Sequence, residues 1–422
     1  MSLPKELEYV PLLSSLGPNV VNTTISVAPT NGAVFQQSDI IQFDLPQRAF
    51  LDPGSLFIRY NFNQTSANGA EIKGTPVYTP FINLQTVMGG SIVENIQNYG
   101  QIQNMLVNMT HSAGQKAGLA FPYGLGDYAV TTAVTQVGAN INGRVCTAAE
   151  SISLAGPLRC VLSEAERLVP LGLMSGCRIS LTVDSMANIF TTTVAGAGMT
   201  LSNVELVYSQ IEFGSATEQM VRSMGDKLYI KSASYSSSST TLQAGASGTA
   251  DLLYNLRLSS VKSLFTVFGG TSANSLNKLY DSYDPTSSNG DLSYTIGGQV
   301  RPSRPVSTLI SKAGAFMELK GAIGGQHSAS TNNFSITEGE FSVVGNAVTT
   351  ARIPAKFYFG INTETLSTSN SLLTGISTES APIGLRINLG TATPQTYNVS
   401  VVALFDSLIE IDTVMRSATV KN

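Results

Sequence analysis

Tryptophan is absent, histidine occurs twice, cysteine three times, and Asp, Glu, Lys and Arg together make up only 12 % of 422 residues. Each shortage removes a class of function. Without tryptophan, and with the tyrosines scattered, the chain lacks the usual platform for stacking sugars. His111 and His327 stand far apart in polar stretches and read as surface histidines rather than as a metal pair. Cys146, Cys160 and Cys177 are odd in number and without a CxxC spacing, which fits reduced, buried thiols better than a disulfide framework. HExxH, GxSxG and Walker sequences are missing. No run approaches the roughly 18–20 apolar residues that cross a bilayer, and the first stretch lacks a signal pattern, so synthesis in the cytosol is expected. A net charge of −4, with no basic cluster in "MSLPKELEYV" or "MRSATVKN", argues against direct nucleic-acid binding.

What is present is a collapsing, β-rich composition. Hydrophobic residues make up 42 % of the chain, with 17 Phe and 15 Tyr, and Gly, Ser, Thr, Asn, Ala and Val are abundant. A surface so poor in charge favours burial against other chains. Strand patterns lie near 39–46, 55–63, 91–98, 178–184 and 201–213, and again near 250–258, 262–268, 356–362, 383–389 and 397–411. In the last of these, Val399, Val401, Ala403 and Phe405 alternate as a core face, and Val402, Leu404 and Leu408 imply a second, partly covered face. Helical spacing marks 100–109, 215–225 and 307–325.

The halves repeat. "SLFIRY" at 55–60 returns as "SLFTVF" at 263–268, and "LVYSQIEF" at 206–213 returns as "LFDSLIEI" at 404–411. The order SLF, IE, SLF, IE implies two successive β modules of roughly 200 residues, the last strand of each being marked by the IE stretch. Glu212 and Glu410 thereby become matched architectural positions rather than a glycosidase pair, which must share one cleft. The pairs Gly89-Gly90, Gly269-Gly270, Gly297-Gly298 and Gly324-Gly325 open no helix in a GxGxxG pattern and read as turns. Asn63 and Asn333 sit in glycosylation sequons that have no secretory route. No catalytic, cofactor-binding or metal-ligating residue is assigned, no cofactor is expected, and the chain is not read as an enzyme.

The expected organisation is residues 1–214 as a first module with a long loop at 110–160, a linker helix at 215–228, and residues 229–422 as a second module with loops at 270–292 and 325–350. The fold class is all-β with a few short helices: a double jelly roll, two successive eight-stranded antiparallel β-sandwiches. "LDPGSLFIRYNF" (51–62), "GGSIVENIQNYGQIQNML" (89–106), "LVPLGLMSGCRISLTVD" (168–184), "RPSRPVSTLISKAGAFMEL" (301–319), "FYFGINTETL" (357–366) and "LLTGISTESAPIGLRINL" (372–389) occur in that order. Together they resemble the double jelly-roll major capsid proteins of double-stranded DNA viruses, most like those of polinton-like viruses and virophages. The resemblance implies homotrimers of pseudo-hexagonal outline tiling an icosahedral virion capsid. It also implies penton and minor or cement proteins as partners, and a genome contacted by other proteins. No cleavable C-terminal tail is expected, and loops 110–160 and 270–292 are the candidate towers and inter-subunit clasps. The alternatives are a single jelly-roll capsid or penton protein with a projecting domain, which a basic arm would favour, and a β-rich adhesin or glycan-binding protein.

Overall fold

The computed structural model describes residues 20–65, 70–125, 144–146, 149–190, 198–213, 225–270, 280–324, 335–342, 355–365 and 374–421. Eight strands build a first sandwich: Val21–Val27 (β1), Ile40–Leu45 (β2), Phe57–Gln64 (β3), Phe81–Met88 (β4), Ser91–Gln97 (β5), Ser151–Pro157 (β6), Cys177–Val183 (β7) and Met199–Glu212 (β8). Eight more build a second: Lys227–Leu242 (β9), Gly248–Tyr254 (β10), Val261–Gly270 (β11), Gly290–Ile296 (β12), Gln299–Ser307 (β13), Tyr358–Asn362 (β14), Ile383–Leu389 (β15) and Tyr397–Asp412 (β16).

The wiring of the two is the same strand for strand. The first module has sheets β6-β3-β8-β1 and β2-β7-β4-β5; the second has β14-β11-β16-β9 and β10-β15-β12-β13. All these ladders are antiparallel, which is the jelly-roll arrangement twice over. A last strand, Ser417–Lys421 (β17), pairs with the end of β16.

The repeated sequences mark neighbouring strands. Ile58 of β3 lies opposite Leu206 of β8, and Leu264 of β11 lies opposite Ala403 of β16. Each pair sits at the middle of its sheet. In β3 the alternating Ile58, Tyr60 and Phe62 are buried while Arg59 faces out and pairs with Glu205 across the ladder at 2.5 Å. β16 is covered on both faces, as its two apolar rows predict: Val399, Val401, Val402, Ala403, Phe405, Asp406 and Glu410 are all buried.

A third repeat escaped the sequence comparison. Arg178 on β7 pairs with Asp44 on β2 at 2.6 Å, and Arg386 on β15 pairs with Asp251 on β10 at 3.0 Å. Both are directly opposed residues on the ladder between the second and seventh strands of their module.

A helix follows the fifth strand of each module: Tyr99–Thr110 (α1) and Ala313–Ala322 (α2). The expected helix at 307–325 is shorter: Ser307 ends strand β13, residues 308–312 form a connection, and the helix runs only over Ala313–Ala322. The linker at 215–228 lies mostly outside the described residues, and its last two positions already belong to β9. The segment 110–160 is less of a loop than its composition suggests. It holds helices at Ala113–Gly118 and Ala120–Tyr123 and the whole of β6. In 270–292, Tyr280–Thr286 is buried rather than outward-facing, and in 325–350 the described part carries a helical turn, Glu338–Phe341.

Neighbouring residues on β7 separate the two kinds of interaction. Ile179→Ala removes a fully buried side chain and should cost about 2–5 kcal/mol. Arg178→Ala breaks an exposed pair and should cost under about 1 kcal/mol. Urea unfolding midpoints of the two variants check the contrast.

Candidate functional site

The residues weighed for chemistry do not converge. Glu212 and Glu410 end the eighth strands of separate modules: Gln210 donates to Glu212 at 2.8 Å, and Lys227 pairs with the buried Glu410 at 2.5 Å. His111 is half-buried just after the end of α1; its ring lies edge-on to Tyr123, and burial lowers its pKa. His327 and Asn333 lie outside the described residues. Asn63 is half-buried, donating to Ser202 at 2.9 Å and accepting from Ser151 at 2.6 Å. The three cysteines are buried and form no disulfide, and burial pushes Cys177 up to about 12 and Cys160 further. Among the described residues no acid, histidine and cysteine cluster could hold a metal, and no helix is long and apolar enough to cross a membrane.

The concentrated polar chemistry lies in the seam between the modules. It starts with α1, where every residue from Tyr99 to Met109 is buried. A helix enclosed on all sides must satisfy its polar side chains within the protein. Asn104 accepts from Thr75 at 3.0 Å and donates to the carbonyl of Tyr280, in the second module, at 3.4 Å. Asn108 donates to the hydroxyl of Tyr358 on β14 at 3.2 Å. Tyr280 in turn donates to the carbonyl of Thr79 at 3.2 Å. Its ring closes over Gly74, where a Cβ would come within 2.6 Å of it and where the backbone φ is +57°. The clasp expected between subunits in 270–292 thus closes, in its described part, within the chain.

A second line of contacts runs along β9. As the outer strand of its sheet, it presents free backbone groups that must be covered. The first module covers them: the amide of Glu166 donates to the carbonyl of Lys231 at 3.0 Å. Serines on β9 reach across as well. Ser232 donates to the carbonyl of Val161 at 2.6 Å and Ser237 to that of Gln97 at 2.8 Å. Ser234 donates to the carboxylate of Glu94 on β5. A serine-rich strand suits this place, since short hydroxyl side chains admit close approach and supply a donor each.

Glu94 is the most perturbed acid of the seam. Thr86 at 3.1 Å and the amide of Val161 at 2.9 and 3.0 Å donate to it beside Ser234. Burial outweighs these donors and raises its carboxyl from an ordinary 4.5 to about 7. Nearby Arg159 and Tyr235 hydrogen-bond to each other, one from each module. At the far end, the amide of Ser175 donates to the carbonyl of Arg416 at 2.8 Å. There Gly89, at φ +55°, lies so close to β17 that a Cβ would come within 2.4 Å of the Ala418 nitrogen. Sequence reading passed over Glu94 because its nearest partners across the seam are remote in the chain.

No family model and no curated protein matches this sequence. Solved structures do. The chain is similar to PBCV-1 VP54, as fitted into a cryo-EM reconstruction of the virophage Sputnik, with TM-score 0.64 and 10 % identity over 96 % of this chain and 97 % of that one. The Faustovirus major capsid protein gives 0.64 at 9 % identity over 92 % and 90 %. The mavirus major capsid protein gives 0.53 at 11 % over 94 % and 90 %. The shared feature is the fold, a double jelly roll running through nearly the whole of each chain.

The seam makes stability depend on pH with a defined sign. Glu94 has a raised folded-state pKa, so its contribution is complete below about pH 4.5 and is lost as pH rises through about 7. The loss should be on the order of 3 kcal/mol. Thermal unfolding between pH 4.5 and 8 should show this slope in the natural chain and lack it in Glu94→Gln, which keeps an acceptor but cannot ionise.

Proposed function

We propose that this chain is a structural major capsid protein: the building block of an icosahedral double-stranded DNA virus shell, assembled as homotrimers of pseudo-hexagonal outline. One observation carries the trimer. In the first module the outer strand β5 and its following helix α1 are covered by the first strand of the second module, β9, and by the segments around Tyr280 and Tyr358. Among the described residues, the equivalent strand β13 and helix α2 of the second module have no such cover from the other module, and most of β13 is exposed.

That surface carries apolar side chains left in the open: Leu309 is 58 % exposed, Ile310 96 %, Met317 44 % and Val300 39 %. Beside it runs a groove of about 330 Å³ lined by Gln299–Ser303, Glu318, Ile361 and Asn362. The strand equivalent to β9 in the first module is β1, and among the described residues it too lies open on its outer side, with Val21 53 % exposed. Docking β1 of one copy against β13 of the next repeats between chains the arrangement already made within one. Such head-to-tail contacts either close into a ring or run on as a filament. Three chains supply six modules, the number a pseudo-hexagonal tile requires.

The fold shared with capsid proteins of large DNA viruses and virophages supports the same reading. So do the shortage of charge and the sealing of the perturbed acid and lysine groups inside the seam, where a substrate has no access. Location in the virion capsid, synthesis in the host cytosol, penton and minor or cement proteins as further partners, and a genome held by other proteins complete the proposal.

The purified protein should run at three times 44.5 kDa and show pseudo-hexagonal particles by negative stain. Ile310→Arg should leave folding intact, because the side chain is almost wholly exposed, and convert the trimer to monomer. A natural chain that stays monomeric at high concentration, or a variant that remains trimeric, would remove this surface as the contact.

A further inference from the structure

We propose that Lys116 and Asn108 become joined by an intramolecular isopeptide bond between the lysine Nζ and the asparagine Cγ, with loss of ammonia. The inference stands on the seam's geometry and is independent of the capsid reading. Lys116 is 1 % exposed and Asn108 is wholly buried. The Lys116 Nζ touches Asn108 Oδ1, which is its one hydrogen-bond partner among the described residues.

That is a poor place for an ammonium ion. It has three donors to satisfy and a neutral amide oxygen as partner, and a buried charge without a counter-ion of its own costs several kcal/mol. The nearby carboxylate, Glu340, is engaged with a second buried lysine, Lys356, at 2.5 Å. Burial first, and the Lys356 charge second, hold Lys116 well below the ordinary lysine pKa, against a smaller opposing pull from Glu340, which makes the nucleophilic free amine more accessible than in an exposed lysine.

The electrophile is set up on its other side. Asn108 Nδ2, the leaving nitrogen, is hydrogen-bonded to the Tyr358 hydroxyl at 3.2 Å. Burial raises the Tyr358 pKa, which keeps that hydroxyl protonated and able to donate once the amide nitrogen becomes basic. The backbone carbonyl of Asn108 accepts from Ser335 Oγ at 3.0 Å, and a capping box of Ser112 and Gln115 starts the short helix that carries Lys116. Nucleophile and carbonyl are therefore held in contact in a site closed to water.

In the step, the Nζ–Cγ bond forms and the Cγ–Nδ2 bond breaks. One proton passes from Nζ to Nδ2, with the Tyr358 hydroxyl as donor and then acceptor, and ammonia departs. Nothing is oxidised or reduced. The product is a neutral amide in place of a buried amine, tying the end of α1 to the helix beside it.

Mass spectrometry of the full-length protein tests this without any variant. The denatured chain should be lighter than its sequence by one ammonia, and trypsin should fail to cut the unfolded chain after Lys116. Lys116→Gln should restore the sequence mass, and Tyr358→Phe should slow the appearance of the deficit about tenfold or more. A natural chain at its full sequence mass would overturn the proposal. So would an ammonia deficit with Lys116 still cleavable, the mark of an asparagine that cyclised onto its own backbone. An unchanged rate in Tyr358→Phe would overturn the role of that hydroxyl.

Discussion

The two modules meet through polar groups that have no access to water, and much else in the molecule follows from that. A buried helix such as α1 and the outer strand β9 are tolerable only when their amides, hydroxyls and carboxamides find partners across the seam. Apolar surfaces can slide against one another at little cost, whereas a set of directional bonds is satisfied in one relative placement. Tyr280 over Gly74, Ser234 on Glu94 and Arg416 beside Ser175 therefore set the angle between the sandwiches.

Within each module the eighth strand plays the corresponding part. β8 and β16 lie between two neighbours and carry apolar residues on both faces, so their sequences are narrowly constrained. The repeated IE stretches are found there, and the SLF stretches on the neighbouring β3 and β11, because the central strands of a sandwich admit few side chains. The exposed Arg–Asp ladders repeat as well, and their recurrence at equivalent positions reflects common wiring rather than much stability. Perturbed ionisable groups, which in an enzyme gather in an open cleft, gather here in the seam.

Much of the fold was legible. Alternation identified β2, β3, β5, β7, β8, β10, β11, β14, β15 and β16, and helical spacing identified α1 and the shorter α2. β9 went unseen, since "KLYIKSASYSSSSTTL" has the composition of a loop and becomes a strand because β16 pairs with all of it. β6 was hidden for a similar reason: "SISLAGP" is short and follows a long polar stretch, and its pairing with β3 defines it. Glu94 carried no local signal, standing in a strand as an ordinary surface acid would. Lys116 gave none either, within a small polar helix.

By itself the sequence determined that the protein is built from β-sandwiches, that there are two of them, and which strand closes each. Strand alternation and internal repetition are local properties of the chain, set by the pleat and by the need to bury apolar rows. Only the tertiary structure decided which polar residues are buried, which edges are covered and which are left open. Ser234 meets Glu94 across 140 residues and Asn108 meets Tyr358 across 250, and the environment of a side chain is made by groups that far away. The chemistry of the seam exists because folding excludes water from it, and no short stretch of sequence records that exclusion.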